Sequence, residues 1–525
     1  MKDITDFCVV LCKAYQELRK AENDEEFKRQ VRIFNSLLSY ISEEFGIEQF
    51  NFARHTHYLD QSLIDSVYLG VLRENIKSAK LKLTYELPLI MSVDMMDCGE
   101  FIAAVETNGF TSRGISNGEI TSVGFALFSF LKSDRKATFL IGYPKMEGKH
   151  EKSDDLLYEK LIYLGALVMR MRKARKNIRV LKEYREVDSD YVIYILPKDI
   201  KSELILKNEK VYWRGRRIDY MSDNLTRTRL DLLPYVKSVN PNGVVSDSKH
   251  LTYDAIMQHT LKGSPLYPLF SHKISTEKLS EEEMMKEIEK AFSEIVENRG
   301  RRVLIKPDKG SGGCGIYISE EREDAFEKIQ ESKNYAPDGG VLVMECAPVV
   351  PVDLDLELKI GKDRIRAGEL LREEIERVHE GFLGGAEVPE EIIHGKHATD
   401  VRFYVTFISG KDLIERFGER ALKLGIWVDE FYLYPMGSVI RMAPGVWSED
   451  PRELAQNPSI IKTNISQEVE DKGAKTEYGV LRAFPPTKKI LKALGYEKKY
   501  KKFMLAAFDA VKATILYYEK EKSFK

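Results

Sequence analysis

The chain has 525 residues, 43% apolar and 31% charged, and its 81 Lys and Arg nearly balance 83 Asp and Glu for a net charge of −2. That length exceeds one hydrophobic core and calls for roughly two to four domains. The balanced charge gives no footprint for nucleic acid, and no apolar run approaches the ~20 residues of a membrane span, so neither partner is expected.

The opening segment, MKDITDFCVVLCKAY, carries Asp3 and Asp6 and lacks a basic region followed by a small-residue cleavage site, so no signal peptide is expected. Five cysteines in this length suit a reducing compartment, and a cytoplasmic location is the expectation. Residues 1–80 read as almost wholly helical, with Cys8 and Cys12 one turn apart and facing the core. His55-Thr56-His57, like His394-Gly395-Lys396-His397, has metal-compatible spacing but no accompanying Cys or carboxylate cluster, which favours a structural role.

Leu83–Val105 then turns strand-like: Leu89-Ile90-Met91, a turn at Asp97-Cys98-Gly99, and Phe101–Val105. A helix is predicted around Ile120–Leu131, a strand at Thr138–Ile141 and a long helix from Asp154 to Glu183. Short β runs at Tyr191–Ile195, Leu204–Leu206 and Val211–Trp213 follow, and the alternation implies an open α/β layer with parallel pairing. Tyr220–Arg229 reads as a substrate loop in which Asn224, Arg227 and Arg229 face a carboxylate, or else as a helix start capped by Ser222 or Asp223.

A helix over Ser280–Arg299 leads into Arg301–Ser319, RRVLIKPDKGSGGCGIYIS. Here a buried run ends at Lys306, and Gly310, Ser311, Gly312, Gly313 and Gly315 precede a second strand. Dense glycines let successive N–H groups converge on one anion, and Lys306 adds a point charge. The loop is neither a Walker A motif nor a dinucleotide fingerprint, because no helix opens after it. The plain alternative is a glycine-rich hairpin without a ligand.

The strand Val341–Met344 ends at Glu345-Cys346-Ala347-Pro348, where backbone groups of Met344, Glu345 and Cys346 are placed to read an adenine edge. Asp353, with Asp355 and Glu357, is placed to accept from ribose hydroxyls. Arg402 and Arg441 each sit in an apolar strand, Asp400–Ile408 and Ser438–Met442, a costly position unless an anion or a carboxylate meets them. Lys462, Asn464 and Ser466 add a polar set, and an amphipathic helix over Lys498–Lys522 puts Met504, Phe508, Val511, Ile515 and Tyr518 on one face. Near the front, Asp94 and Glu106-x-Asn108 lie on two strands, and residues two apart on a strand share a face and can reach one ion.

Lid, hinge and E-x-N pair together resemble the ATP-grasp superfamily, and their order resembles its circularly permuted form in eukaryotic-type glutathione synthetase. The resemblance implies an α+β / α/β fold: two α+β subdomains gripping ATP, an N-terminal helical region and an inserted α/β substrate domain. The corresponding divisions are 1–80 helical, 81–135 permuted core strands, 136–250 substrate domain, 251–340 lid and 341–525 C-terminal subdomain. It implies ATP on Lys249, Lys306, Gly310–Gly315, Met344–Cys346, Asp353, Lys462 and Asn464, and magnesium on Asp94, Glu106 and Asn108. Thr111 and Arg113 fall where the family touches substrate, and Val211–Tyr220 resembles its arginine-bearing strand pair. The family's lid glutamate is missing here, with Asp308 the acid nearest its place; Ser92 replaces an arginine, and Lys359–Lys396 has no counterpart.

The activity implied is a carboxylate–amine ligase. Arg113, Arg402 or Arg441 would hold a small-molecule carboxylate, which takes the γ-phosphoryl group before an amine attacks. Lys306, Arg402 and Arg441 are the candidate catalytic residues, and a homodimer is the assembly the resemblance implies. A small-molecule kinase and a nucleotide-binding protein without turnover remain the alternatives.

Overall fold

A computed structural model describes residues 2–21, 24–47, 61–82, 86–109, 118–132, 134–143, 157–309, 315–336, 338–383, 387–450, 453–454, 457–460, 463 and 481–522, excepting the side chains of 24, 223, 224, 226, 378–383 and 458. The chain is a mixed α/β protein with several sheets. None of its described helices is long and apolar enough to cross a membrane.

A seven-stranded sheet forms the centre. Met91–Asp97 and Ile102–Asn108 make a hairpin about the predicted turn, where Asp97 Oδ1 accepts the Gly99 N–H at 3.0 Å and Gly99 adopts φ +85°. The same Met91–Asp97 strand pairs antiparallel with Thr399–Ser409, which pairs with Phe431–Met442. Thr399–Ser409 adds one residue at each end of the expected strand, whereas Phe431–Met442 begins seven residues early, because buried Tyr432, Leu433 and Tyr434 extend the β pattern ahead of Ser438. Front and back of the chain thus meet in one sheet.

A second, four-stranded antiparallel sheet runs Ser271–Ser275, Gly340–Glu345, Val303–Pro307, Tyr317–Ser319. Helices Glu281–Phe292 and Arg322–Lys333 cover it, burying Met284, Ile288, Ala325 and Ile329 against Val303, Ile305, Val341 and Val343. Ser280 and Glu283 form a reciprocal cap at the first helix.

The third sheet has five strands, all paired parallel, in the order Lys237–Ser238, Tyr220–Met221, Ala137–Tyr143, Tyr191–Pro197, Ile178–Leu181. It bears out the parallel layer but corrects the long helix. That helix spans Leu157–Lys173, the chain turns at Arg175 with φ +56°, and Ile178–Leu181 becomes an edge strand. The basic run of residues 170–176 continues a helical periodicity, but β-branched Ile178 and Val180 find partners beside Tyr191 and Ile193. Residues 223–228 are helical rather than a loop. The segment 359–396 holds a hairpin arm, the helix Ala367–Leu383 and the short helix Glu390–Ile393.

Two helical layers pack on these sheets. Tyr500–Lys522 lies along the central sheet and against Gln61–Ala79 and Lys249–His259. The predicted Met504, Phe508, Val511 and Ile515 are buried, but Ala506, Ala507, Ala510 and Ala513 are buried too, because small residues let neighbours close in on a second side. Helices Thr5–Lys20 and Leu157–Lys173 cross at Gly165, where an added Cβ would lie 2.0 Å from the Cys8 carbonyl oxygen and 2.6 Å from Cys12 Cβ. Cys8 and Cys12 are therefore packing residues, as expected, and burial pushes both thiols above their ordinary range. Backbone oxygen cannot yield as a flexible side chain would. Gly165→Ala is expected to cost roughly 1–3 kcal/mol or more of stability with unchanged secondary structure, measured by denaturant unfolding.

Candidate functional site

The central sheet and the four-stranded sheet enclose a cavity of about 440 Å³. Strand register decides what reaches it. Asp94 lies opposite both Glu106 and Arg402, and Asp400 lies opposite Arg441, so these side chains share one face of the central sheet. From the other sheet, Leu304 and Lys306, two residues apart, face inward with Ile318 and Met344. Lys249 enters from the start of the helix Lys249–His259, and Glu345, Cys346, Ala347 and Pro348 line the hinge end.

Lys306 is buried, and its Nζ donates to the Tyr253 hydroxyl at 2.7 Å and the Val105 carbonyl at 3.2 Å. The tyrosine ring lies 5.1 Å away. Burial, then the neighbouring Lys249, pulls the ammonium from an ordinary 10.5 to about 7. Lys249 sits 3.3 Å from Glu106 Oε1.

Asp308 holds the two lysines in place. Its buried carboxylate accepts from Ser248 Oγ at 2.9 Å, from the His250 N–H at 2.9 Å and from Lys273 Nζ at 2.7 Å. Ser248 in turn caps the helix by accepting the Leu251 N–H. Asp308 lies just past Lys306 in sequence, so one carboxylate ties the lid strand to the helix that presents Lys249. It does not line the cavity, which corrects its assignment as the stand-in for the lid glutamate.

On the floor, Arg402 donates from Nε and Nη2 to both oxygens of Asp94 at 2.5 and 2.6 Å. Arg441 Nη2 reaches Asp94 Oδ2 at 2.9 Å, its Nε donates to Asp400 at 2.8 Å, and Thr463 donates to Asp400 at 2.8 Å. Burial alone would raise the Asp94 pKa, but the two guanidinium groups hold it well below the ordinary carboxylate range. Asp400 goes the other way, raised by burial and by Asp94 despite Arg441.

As candidate metal ligands, Asp94 and Glu106 do not fit a free ion in this arrangement. Asp94 is closed by a two-point pair and Glu106 is neutralised by Lys249. Among the described residues no group of three or more His, Cys, Asp or Glu is placed to hold a metal. His397 bonds the carbonyls of Ala443 and His394, while His394 contacts Asp355 and Glu390; both are structural, and His55 and His57 lie outside the described residues.

The expected residues divide cleanly. Asp94, Glu106, Lys249, Lys306, Met344, Glu345, Cys346, Arg402 and Arg441 all line one cavity. The Glu345 side chain is anchored by Tyr267 and Arg299, and the Cys346 N–H donates to the Arg302 carbonyl at 2.8 Å. Asp353 and Gly315 lie outside the lining, and Arg227 pairs with Asp247 at 2.9 Å. Asn108 ends its strand beside Ser92 and is absent from the lining. Thr111, Arg113, Gly310, Ser311, Gly312, Gly313, Lys462 and Asn464, and the Asn224 side chain, lie outside the described residues. The sequence reading missed Arg301, Arg302, Asp400, Trp447 and Thr463 as lining. Asp400 carried a signal, since it stands two residues before Arg402 on a strand.

No family model matches the sequence, and no curated protein matches it. Among solved structures, the chain is similar to a candidate gamma-glutamylcysteine synthetase from Methylobacillus flagellatus, at 12% identity and a TM-score of 0.43 over 89% of this chain and 99% of that one. It is also similar to a glutathione synthetase-like effector from Globodera pallida, at 7% identity and a TM-score of 0.30 over 73% and 79% of the two chains. A third is D-alanyl-alanine synthetase A from Vibrio cholerae, at 11% identity and a TM-score of 0.25 over 73% and 99%. At such distances function has to be read from the cavity itself.

Two measurements follow from Lys306 and Asp308. With the Lys306 pKa depressed when folded, the folded state binds fewer protons between pH 7 and 10.5, so its contribution makes stability rise with pH across that window. An anion restores the charge: binding of tripolyphosphate near pH 7.5 is expected to take up protons and to weaken at higher pH, seen by calorimetry in buffers of different ionisation heat. Lys306→Met should flatten both dependences. Asp308→Ala should cost about 2–4 kcal/mol in denaturant unfolding, because it uncaps the helix and leaves Lys273 without its buried partner.

Proposed function

We propose that this protein is an ATP-dependent carboxylate–amine ligase, joining a small-molecule carboxylate to an amine through an acyl phosphate and releasing ADP and phosphate. One observation carries it: two lysines from separate elements, an apolar hinge and an arginine-rich floor line a single cavity. In this reading adenine occupies the apolar end among Leu304, Ile318, Met344 and Ala347. The phosphates run toward Lys306 and Lys249, which offset their charge in a low-dielectric site.

The γ-phosphoryl group then lies over the Asp94–Arg402–Arg441–Asp400 floor. Arg441 and Arg402 hold the attacking carboxylate oxygen in line, and the same cations stabilise the oxyanion formed when the amine attacks the acyl phosphate. No side-chain nucleophile is needed. Magnesium belongs to this reading as the partner of the nucleotide.

The circularly permuted order is part of the proposal, supported by the pairing of the N-terminal Asp94 strand with the Arg402 strand. So are the five domain divisions, with the parallel sheet as substrate domain, a homodimer and a cytoplasmic setting.

The test is turnover of ATP and magnesium against pooled amino acids, short γ-glutamyl peptides and polyamines, reading ADP and product mass. A product weighing the sum of two substrates less water is expected, and Lys306→Met should lower kcat/KM about 100-fold or more. ADP with a phosphorylated product would make the protein a kinase instead, and no ADP with ATP bound would make it a binding protein.

A further inference from the structure

Ile205–Lys207, Lys210–Trp213 and Arg216–Ile218 form a small antiparallel sheet that meets the parallel sheet through its last strand. Asn208 and Glu209, at φ +49° and +56°, make its first two-residue turn, so Lys207 and Lys210 are the hydrogen-bonded pair beside that turn. Counting back from there, Leu206 and Leu204 direct their N–H and C=O groups away from the middle strand. Among the described residues no strand pairs with this outer side. The edge is apolar all the same: Ile205 is 61% exposed and Leu206 43%, and Leu230 and Tyr235 are exposed on the helical turn that packs against the middle strand. Its charges are unsettled too. Lys207 and Lys210 stand directly opposite each other, and neither forms an ion pair with a described residue. Glu203 accepts from Trp213 Nε1 at 2.9 Å and Arg214 Nε at 3.2 Å with Oε2 alone.

We propose that this edge pairs with the same edge of a second copy of the chain, two antiparallel strands meeting across a two-fold axis at Ile205. A closed dimer makes the contact self-complementary, and charge selects its register. An axis at Leu204 would set Lys207 against Lys201, and an axis at Leu206 would set Glu203 against Glu209. Like charges directly opposite are unfavourable in both. An axis at Ile205 sets Glu203 against Lys207 twice and Ile205 against itself. In that register Leu204 and Leu206 exchange N–H and C=O bonds with Leu206 and Leu204 of the other copy, which gives their outward groups partners. The contact is small, under about 1,200 Å², so association is reversible, with a Kd of about 1–100 µM. This surface supplies the homodimer of the proposed function and is independent of the nucleotide chemistry.

Sedimentation velocity of the full chain across about 1–100 µM should show a monomer–dimer equilibrium. Lys207→Glu, which sets two acids against each other at both ends of the contact, should raise the dimer Kd at least about 10-fold. Ile205→Cys, oxidised in air with copper–phenanthroline, should form a disulfide-linked dimer, since the two positions lie about 5 Å apart across the axis. Lys207→Cys should not, because its two copies are offset by four residues, or roughly 13 Å. Wild-type protein controls for the native thiols, and thermal melts check that each variant is folded. A chain that is monomeric at every concentration overturns the proposal and the homodimer with it. A dimer that survives Lys207→Glu, or that Ile205→Cys does not crosslink, keeps the homodimer and overturns this surface. A monomer whose Ile205→Cys thiol crosslinks only to a different protein assigns the edge to that partner and overturns the proposal too.

Discussion

Asp94 and Arg402 face each other across the middle of the central sheet, 308 positions apart in sequence and joined by two short hydrogen bonds. Around them Arg441 and Asp400 extend the pair into a four-membered grid. A buried charge without its partner costs about 3–5 kcal/mol, so the grid penalises any other strand register. A slip of one residue would turn Asp94, Asp400, Arg402 and Arg441 to the opposite face, into the apolar layer beneath the C-terminal helix. Register and cavity chemistry are thus one constraint.

The second sheet is located by a different device. Asp308 binds Ser248, the His250 N–H and Lys273 at once, so the lid strand and the lysine-bearing helix cannot separate without exposing a buried carboxylate. Two acids distant in sequence from Lys249 therefore serve it differently: Asp308 fixes the start of its helix, while Glu106 neutralises its charge. The low pKa of Lys306 follows first from its burial and then from the neighbouring ammonium of Lys249.

Much of this was legible in the residues. The central strands, the parallel layer and nine cavity-lining positions were read from apolar runs and from charges set inside them, because an Arg in a buried strand demands an explanation that composition cannot supply. What the sequence left dark was pairing. Nothing local says that Arg402 meets Asp94 rather than a ligand, nor that Asp308 faces Ser248 rather than the cavity, since both depend on contacts between distant segments. The helix beyond Lys173 was misread for a related reason: its periodicity is real, but a neighbouring strand competes for Ile178 and Val180.

The place of the Met91–Asp97 strand has a bearing on how the chain comes to fold. It is an interior strand, flanked by Ile102–Asn108 from its own hairpin and by Thr399–Ser409 from the far side of the sequence. During synthesis the hairpin emerges long before its other neighbour, presenting an apolar edge and an acid with no counter-charge. The floor of the cavity is therefore assembled late, by closing a loop of some three hundred residues.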